Sequence, residues 1–356
     1  MKKTRMMALF VGICFVLSMA GFYILPATVS GASVDKPIEL KFAHHNPPAS
    51  GTTVKFLDPY MRRIENATNG RVKIISYPAQ SLAKSKETLA AIEGGVADMG
   101  WFIPGNTPGR FPLTEVYQLP FINLADAEKN SRIMQTLYEK FPAIQREYAS
   151  VKLLFVMATQ PFMVATTKKP VRTLEELKGM KIRTIGTVPI KAMKLLGVTP
   201  MTIPMPGLYE AAEKGVIDGA CVMWAMFPTF NLTEVFDYWT NVDLWPAITC
   251  VAMNLNKWKS LPPDIQKQIM SVAGVDGAEF AGRTGWGPDI KEEVYEKMKK
   301  TGQKLEEVKV DPAEVAKWKK IAGEPVWEQW VQQMEKRGAP AREILEEALR
   351  LVEKYR

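Results

Sequence analysis

Ile38-Glu39-Leu40-Lys41-Phe42-Ala43 alternates apolar and polar side chains, the period of a strand with one buried face. A loop over His44 to Ser50 follows. Phe56, Tyr60 and Ile64 then predict a helix that ends near Asn69-Gly70. Arg71 to Tyr77 reads as a second strand, Lys84 to Glu93 as a second helix, and a third strand follows Gly95. This βαβαβ order implies a parallel-rich sheet covered by helices.

The rhythm restarts further along. Val151 to Ala158 is apolar and strand-like, Leu174 to Lys178 forms a short helical turn stopped by Gly179, and Met180 to Thr184 is a strand. Pro189 to Leu196 and Leu208 to Lys214 read as helices closed by Gly197 and Gly215. An internal echo links the two halves: Ala91-Ile92-Glu93-Gly94-Gly95-Val96-Ala97-Asp98 returns as Ala212-Glu213-Lys214-Gly215-Val216-Ile217-Asp218. Each copy is a helix end, a glycine cap and an apolar-x-Asp lead into a strand, and beyond them lie Trp101 and Trp224. The C-terminal third is helical over Asp264 to Val275, Ile290 to Lys300, Val315 to Met334 and Arg342 to Tyr355. Gly282, Gly285, Gly287 and Pro288 are expected to kink or break it.

At the other end, Lys2, Lys3 and Arg5 precede an apolar run from Met6 to Leu25 and small residues through Ala32. That is the layout of a secretory signal cut near Ala32, with export to the periplasm. The alternative is an uncleaved anchor, since about twenty apolar residues span a bilayer. Lipidation at Cys14 is rejected, because Ile13 stands where a small residue is needed. The 356-residue chain is 47% hydrophobic and 24% charged, ordinary for a globular protein of two domains or one large one. Its formal charge of +8 is spread over interspersed lysines and glutamates with no basic block, so nucleic acid is not an expected partner. Cys221 and Cys250 read as small buried apolar residues, with a disulfide permitted by export but not demanded.

An enzyme would need a constellation that is missing. The only two histidines, His44 and His45, are adjacent, and neighbouring side chains point different ways, a poor geometry for a joint metal site. No Cys-x-x-Cys, His-Glu-x-x-His, Gly-x-Ser-x-Gly or phosphate-cradling glycine motif occurs, so no cofactor, metal or catalytic residue is expected. What remains is a binding constellation. In Leu177-Lys178-Gly179-Met180-Lys181-Ile182-Arg183-Thr184, Arg183 falls at the C-terminal end of a strand, the edge where open α/β sheets bind ligands. A helix starting near Thr187 and Pro189 adds backbone N–H groups that favour an anion. A guanidinium can grip a carboxylate with two parallel hydrogen bonds; the competing reading is a surface arginine at a strand end. Trp101-Phe102 and Trp224, with Phe227 nearby, should approach the same cleft from opposite sides, unless they are ordinary core.

These blocks together resemble the extracytoplasmic solute receptors of TRAP (tripartite ATP-independent periplasmic) transporters, over essentially the whole chain after residue 32. The resemblance rests on Leu174 to Thr184, Leu196-Gly197-Val198-Thr199-Pro200, Leu208 to Gly219, Arg71 to Pro78, Gly95-Val96-Ala97-Asp98 and Leu119-Pro120-Phe121. It implies an α/β, two-lobed periplasmic binding protein fold, class II-like, with hinge-linked lobes and a long spanning helix. Residues 33–158 with 246–287 would form the first lobe, and 159–245 with 288–356 the second lobe and C-terminal helices. It also implies that Arg183 salt-bridges a ligand carboxylate and that the receptor hands its ligand to membrane permease subunits driven by an ion gradient.

The departures narrow the ligand. Where members carry a second cleft arginine, this chain reads Phe162-Met163-Val164; where they carry an asparagine after the Asp-Gly pair it has Val222; and Gly207 replaces a glutamate two residues before Tyr209. Such a pocket suits one carboxylate on an aromatic or otherwise apolar body, including 2-oxo and 2-hydroxy acids, because unpaired hydroxyls or a second charge would cost about 1–3 kcal/mol each or more. His44, His45 and Asn46 border the cleft in the family, and Tyr117, Met163, Met205 and Val222 complete the candidate lining. The alternatives are a receptor for another solute class, such as an amino acid or metal complex, and a secreted hydrolase or isomerase on a similar scaffold.

Overall fold

The computed structural model describes residues 36–356; the signal sequence read in residues 1–32 lies outside them. Eleven strands occur among the described residues: β1 Ile38–Ala43, β2 Val72–Tyr77, β3 Met99–Phe102, β4 Val151–Pro161, β5 Met163–Thr166, β6 Lys181–Arg183, β7 Thr199–Met201, β8 Gly219–Val222, β9 Tyr238–Asn241, β10 Pro246–Asn254 and β11 Glu306–Lys309. They form two sheets, ordered β2-β1-β3-β10-β4 and β11-β9-β5-β8-β6-β7. In the first, β1 runs parallel to β2 and β3, while β10 is antiparallel to both β3 and β4. In the second, β6 runs parallel to β7 and β8, while β5 is antiparallel to β8 and β9. These are the two lobes, each with a parallel heart and an antiparallel flank. The chain leaves the first sheet after Pro161, a few residues beyond the Ala158 crossing expected from sequence, and returns at Pro246.

The sequence echo is a structural one. Asp98 donates its backbone N–H to Lys41 O and accepts from Lys41 N with its carboxylate at 2.8 Å; Asp218 does the same with Lys181 O and Lys181 N, also at 2.8 Å. Asp98 O then accepts from Asn254 N, and Asp218 O from Thr167 N. Each glycine before these turns, Gly95 and Gly215, has a positive φ (74° and 67°), where a side chain would be strained. One device thus locks β1 to β3 and β6 to β8 in matching register.

The long helical region divides at Gly287-Pro288. Helices Gly274–Trp286 and Asp289–Thr301 lie on either side, so the helical path is broken there, as the sequence predicts. A Cβ on Gly287 would meet Arg283 O at 2.3 Å. Gly282 and Gly285, expected to interrupt the helix, instead lie inside it and allow close packing: a Cβ on Gly282 would sit 2.5 Å from Ala127 O. The stretch Val315 to Met334 is likewise two helices, Pro312–Ala322 and Glu324–Glu335, because Gly323 adopts φ −90°, ψ −99° and Pro325 begins a new turn. Helix Ala341–Tyr355, grouped by sequence with the second lobe, buries Ile344, Ala348 and Leu351 and packs against helix Ala127–Lys140 beside the first sheet. Among the described residues no helix is long and apolar enough to cross a membrane.

Candidate functional site

The C-terminal ends of β1, β3, β6 and β8 meet at one cleft between the lobes, with about 710 Å³ of non-atom space when the solvent at its mouth is included. Arg183 is placed there by a run of local devices. Thr173 and Glu176 form a reciprocal capping box that starts the turn Leu174–Leu177, and Leu174 N donates to Glu314 at 2.8 Å. The chain then enters β6, whose last residue is Arg183, paired in backbone register with Met201 and Ala220. Arg183 as a residue is 3% exposed, and its Nε donates to Ile203 O at 2.9 Å, which leaves the two Nη groups for the cleft. Burial lowers its pKa to about 10, so it stays charged at neutral pH. Among the described residues no carboxylate salt-bridges it, and it is the one charged side chain lining the cleft.

The opposite wall is aromatic and neutral. His45 stacks on Trp101 with ring centroids 4.9 Å apart at 21°, and Trp101 in turn lies 6.1 Å from Trp286. Burial lowers both His44 and His45 to about 4, with the neighbouring imidazole adding to the effect on His45, so neither carries charge at pH 7. Asn46, Thr249 and Met205 also line the cleft, and Met223, Met226 and Phe230 supply apolar surface from the second lobe.

Of the residues singled out in the sequence, Arg183, Trp101, His45, Asn46 and Met205 come together here, whereas the others are placed elsewhere. Phe102 points to the opposite face of β3 from Trp101 and packs on Phe111, 6.1 Å between centroids. His44 turns away to Ser76 (Nε2 to Oγ 3.1 Å) and leaves the cleft to His45. Tyr117 donates its hydroxyl to Asn130 Oδ1 at 2.8 Å inside the first lobe. Met163 and Val222 are direct cross-strand partners on the far face, since Phe162 and Met223, one residue away in each case, take the cleft side. Trp224 packs edge-on to Trp239 at 4.6 Å, with the Lys291 ammonium 5.5 Å from its ring, outside the cleft. The helix N-terminus at Thr187 is no open anion site: Thr187 N donates to Glu115 Oε1 at 3.2 Å, so the chain's own carboxylate occupies it. Cys221 and Cys250 are both buried and free.

Sequence reasoning missed Trp286, Thr249 and Phe230, and within Phe162-Met163-Val164 it named Met163 for the lining rather than Phe162. Two of these had a usable signal. Trp286 immediately precedes the Gly287-Pro288 break, and Phe162 sits where the chain passes between sheets, so both occupy positions that border a cleft between lobes.

A two-sheet fold whose parallel-strand ends meet over one buried, unpaired cation is that of a ligand-capturing solute-binding protein. The chain belongs to the bacterial extracellular solute-binding proteins, family 7 (DctP), whose model matches residues 42–334. Solved structures agree in fold. A TRAP solute-binding protein from Rhodoferax ferrireducens T118, in complex with copurified benzoate, is 27% identical, with TM-score 0.82 over 89% of this chain and 98% of that one. A marine metagenome TRAP solute-binding protein specific for aromatic acid ligands, bound to metahydroxyphenylacetate, is 29% identical, with TM-score 0.82 over 89% and 99%. A Bordetella bronchiseptica TRAP periplasmic solute-binding protein with bound (R)- and (S)-mandelate is 25% identical, with TM-score 0.81 over 90% and 100%.

Proposed function

We propose that this chain is the periplasmic receptor of a TRAP-type transporter for a small organic acid with one carboxylate on an aromatic or otherwise apolar body. The observation that carries the reading is Arg183: a buried guanidinium, anchored through Nε, with its Nη edge towards an apolar cleft and no protein carboxylate to neutralise it. Leaving a charge buried and unpaired is costly, and a ligand carboxylate accepting two hydrogen bonds relieves that cost. The stacked His45-Trp101 pair and Trp286 suit a flat ring on the other side. Burying 150–250 Å² of aromatic surface at about 25 cal/mol per Å² contributes roughly 4–6 kcal/mol before the costs of association. A second carboxylate would find no cation beyond Arg183, and the ammonium of an amino acid would find no acid, among the residues lining the cleft. The relatives that hold benzoate, hydroxyphenylacetate and mandelate support the same ligand class.

In this reading the chain performs no chemistry of its own. It is exported by the signal in residues 1–32, captures the acid between its lobes and passes it to membrane permease subunits. Titration calorimetry tests the ligand class: benzoate, phenylacetate or mandelate should bind without turnover, and succinate and glucuronate should bind far more weakly. Tight succinate binding with no response to any aryl acid refutes it.

A further inference from the structure

Several buried polar side-chain atoms have no hydrogen-bond partner among the described residues, and three of them belong to residues that line this one cleft: Trp101 Nε1, Asn46 Nδ2 and Thr249 Oγ1. Their residues are 4%, 3% and 2% exposed, so bulk water does not satisfy them. Buried polar groups are nearly always paired, and a cluster of exceptions at one cavity calls for a partner that arrives with the ligand. Trp101 Nε1 is the clearest case, because an indole N–H can only donate.

The partner is not the carboxylate alone. Arg183 approaches from the second sheet, whereas these three groups belong to the first. Asn46 follows β1, Trp101 lies in β3 and Thr249 in β10, which are successive neighbours in that sheet. Adjacent strands stand about 4.8 Å apart, so β1 and β10, which flank β3, lie roughly 9–10 Å apart, with Asn46 in the loop beyond the end of β1. The two oxygens of one carboxylate are too close together to serve that row and the guanidinium at once. We propose that the first-lobe wall is a subsite for a second, uncharged oxygen on the ligand, a hydroxyl or oxo group on its apolar body, with Trp101 Nε1 as the principal donor and Thr249 and Asn46 beside it. The oxygen is uncharged because this wall offers only neutral groups, and a second carboxylate there would be buried without a counter-charge.

This deepens the carboxylate reading and rests on it, so the test separates the two. Calorimetry on the purified protein compares phenylacetate with mandelate and phenylglyoxylate, and benzoate with 3-hydroxybenzoate and isophthalate. In at least one series the oxygenated monoacid should bind about tenfold tighter or more, the effect of pairing one buried donor. Isophthalate should bind more weakly than 3-hydroxybenzoate. In Trp101→Phe, which keeps a ring but lacks the N–H, the ratio of oxygenated to bare acid should fall towards one; Thr249→Val, a smaller change, should lower the same ratio and serves if the tryptophan variant fails to fold. Equal affinities for bare and oxygenated acids, isophthalate binding as tightly as 3-hydroxybenzoate, or a ratio untouched by either variant overturns the subsite while leaving the carboxylate reading standing. If no aryl acid binds at all, both fall.

Discussion

The two cleft walls share a skeleton and differ in chemistry. Lys41 and Lys181 hold the same hydrogen bonds to Asp98 and Asp218, so the residues that follow them correspond: Phe42 with Ile182, and Ala43 with Arg183. At equivalent strand ends the first lobe places a methyl group and the second a guanidinium. Past that point the first lobe continues into His44, His45 and Asn46 under an indole, and the second into Thr184 and Ile185 beside Met205 and Met223. Backbone register therefore decides where a ligand can sit, and the few side chains beyond the shared register decide what it is. The first wall is flat, aromatic and neutral. The second combines one fixed cation with adaptable thioethers.

Removing the cation should break this asymmetry most severely. Arg183→Ala is expected to cost about 2–5 kcal/mol of affinity for an aryl acid by calorimetry, since the anion then lies buried without a partner. Arg183→Met should lose affinity similarly and yet hold or raise the stability of the ligand-free protein, because it deletes an unpaired buried charge and keeps the volume. A stable Arg183→Ala protein with undiminished affinity would remove the second wall's assigned role.

The first wall is tested by acid. His45 has its folded pKa lowered from 6.5 to about 4. A depressed imidazole contributes stability that is fully present above pH 6.5 and is lost as pH falls through 6.5 towards 4, because the unfolded state takes up the proton first. Glu147, raised to about 7 mainly by burial, works in the opposite sense and is most stabilising when protonated, so the informative quantity is a difference between variants. Between pH 7 and 4.5, urea denaturation should show His45→Phe losing about 2–3 kcal/mol less than the parent. Parallel losses in the two proteins would mean that His45 is not buried neutral against Trp101.

The tryptophans sharpen the comparison. Trp101 and Trp224 look equivalent in sequence, each following one copy of the echo, but counting from the shared aspartates gives Trp101 the third position and Trp224 the sixth. Trp224 packs on Trp239 behind the wall. Trp224→Phe should therefore lower stability by about 1–2 kcal/mol and leave aryl acid affinity within about twofold, as read by thermal unfolding and calorimetry. A large affinity loss would put Trp224 back in the cleft.

The same contrast shows what could be read from residues alone. Arg183 could be placed at the end of a short strand bracketed by a helical turn and Pro189, where such sheets bind ligands, but spacing left a surface arginine equally open and the family resemblance favoured the cleft. The two-lobe order was legible from the alternation in β1 and from the repeated glycine-to-aspartate turn. Met163 and Val222 were not, because β5 and β8 are buried on both faces and show no alternation. A one-residue shift of such a strand exchanges its faces, and that shift separates Met163 from Phe162 and Val222 from Met223. Thr249 reaches the cleft from an antiparallel strand far along the chain, a contact that local pattern does not encode.

The smallest expected effect asks whether the shared skeleton is energetically shared. Asp98 and Asp218 each accept the N–H of the lysine two residues before the strand end, at the same 2.8 Å. Each bond is charge-assisted but lies at a partly exposed edge, so deletion should cost about 1 kcal/mol, below the range for buried charged hydrogen bonds. Asp98 has one further contact, a Lys257 ammonium at 3.9 Å, too long and too exposed to add much. Asp98→Ala and Asp218→Ala should then destabilise the protein by amounts within about 0.5 kcal/mol of each other in urea titrations. Being distant and in separate lobes, they should add in the double variant. A several-fold difference between them would mean that the two turns share geometry without sharing a structural role, and that the lobes' equivalence ends at the backbone.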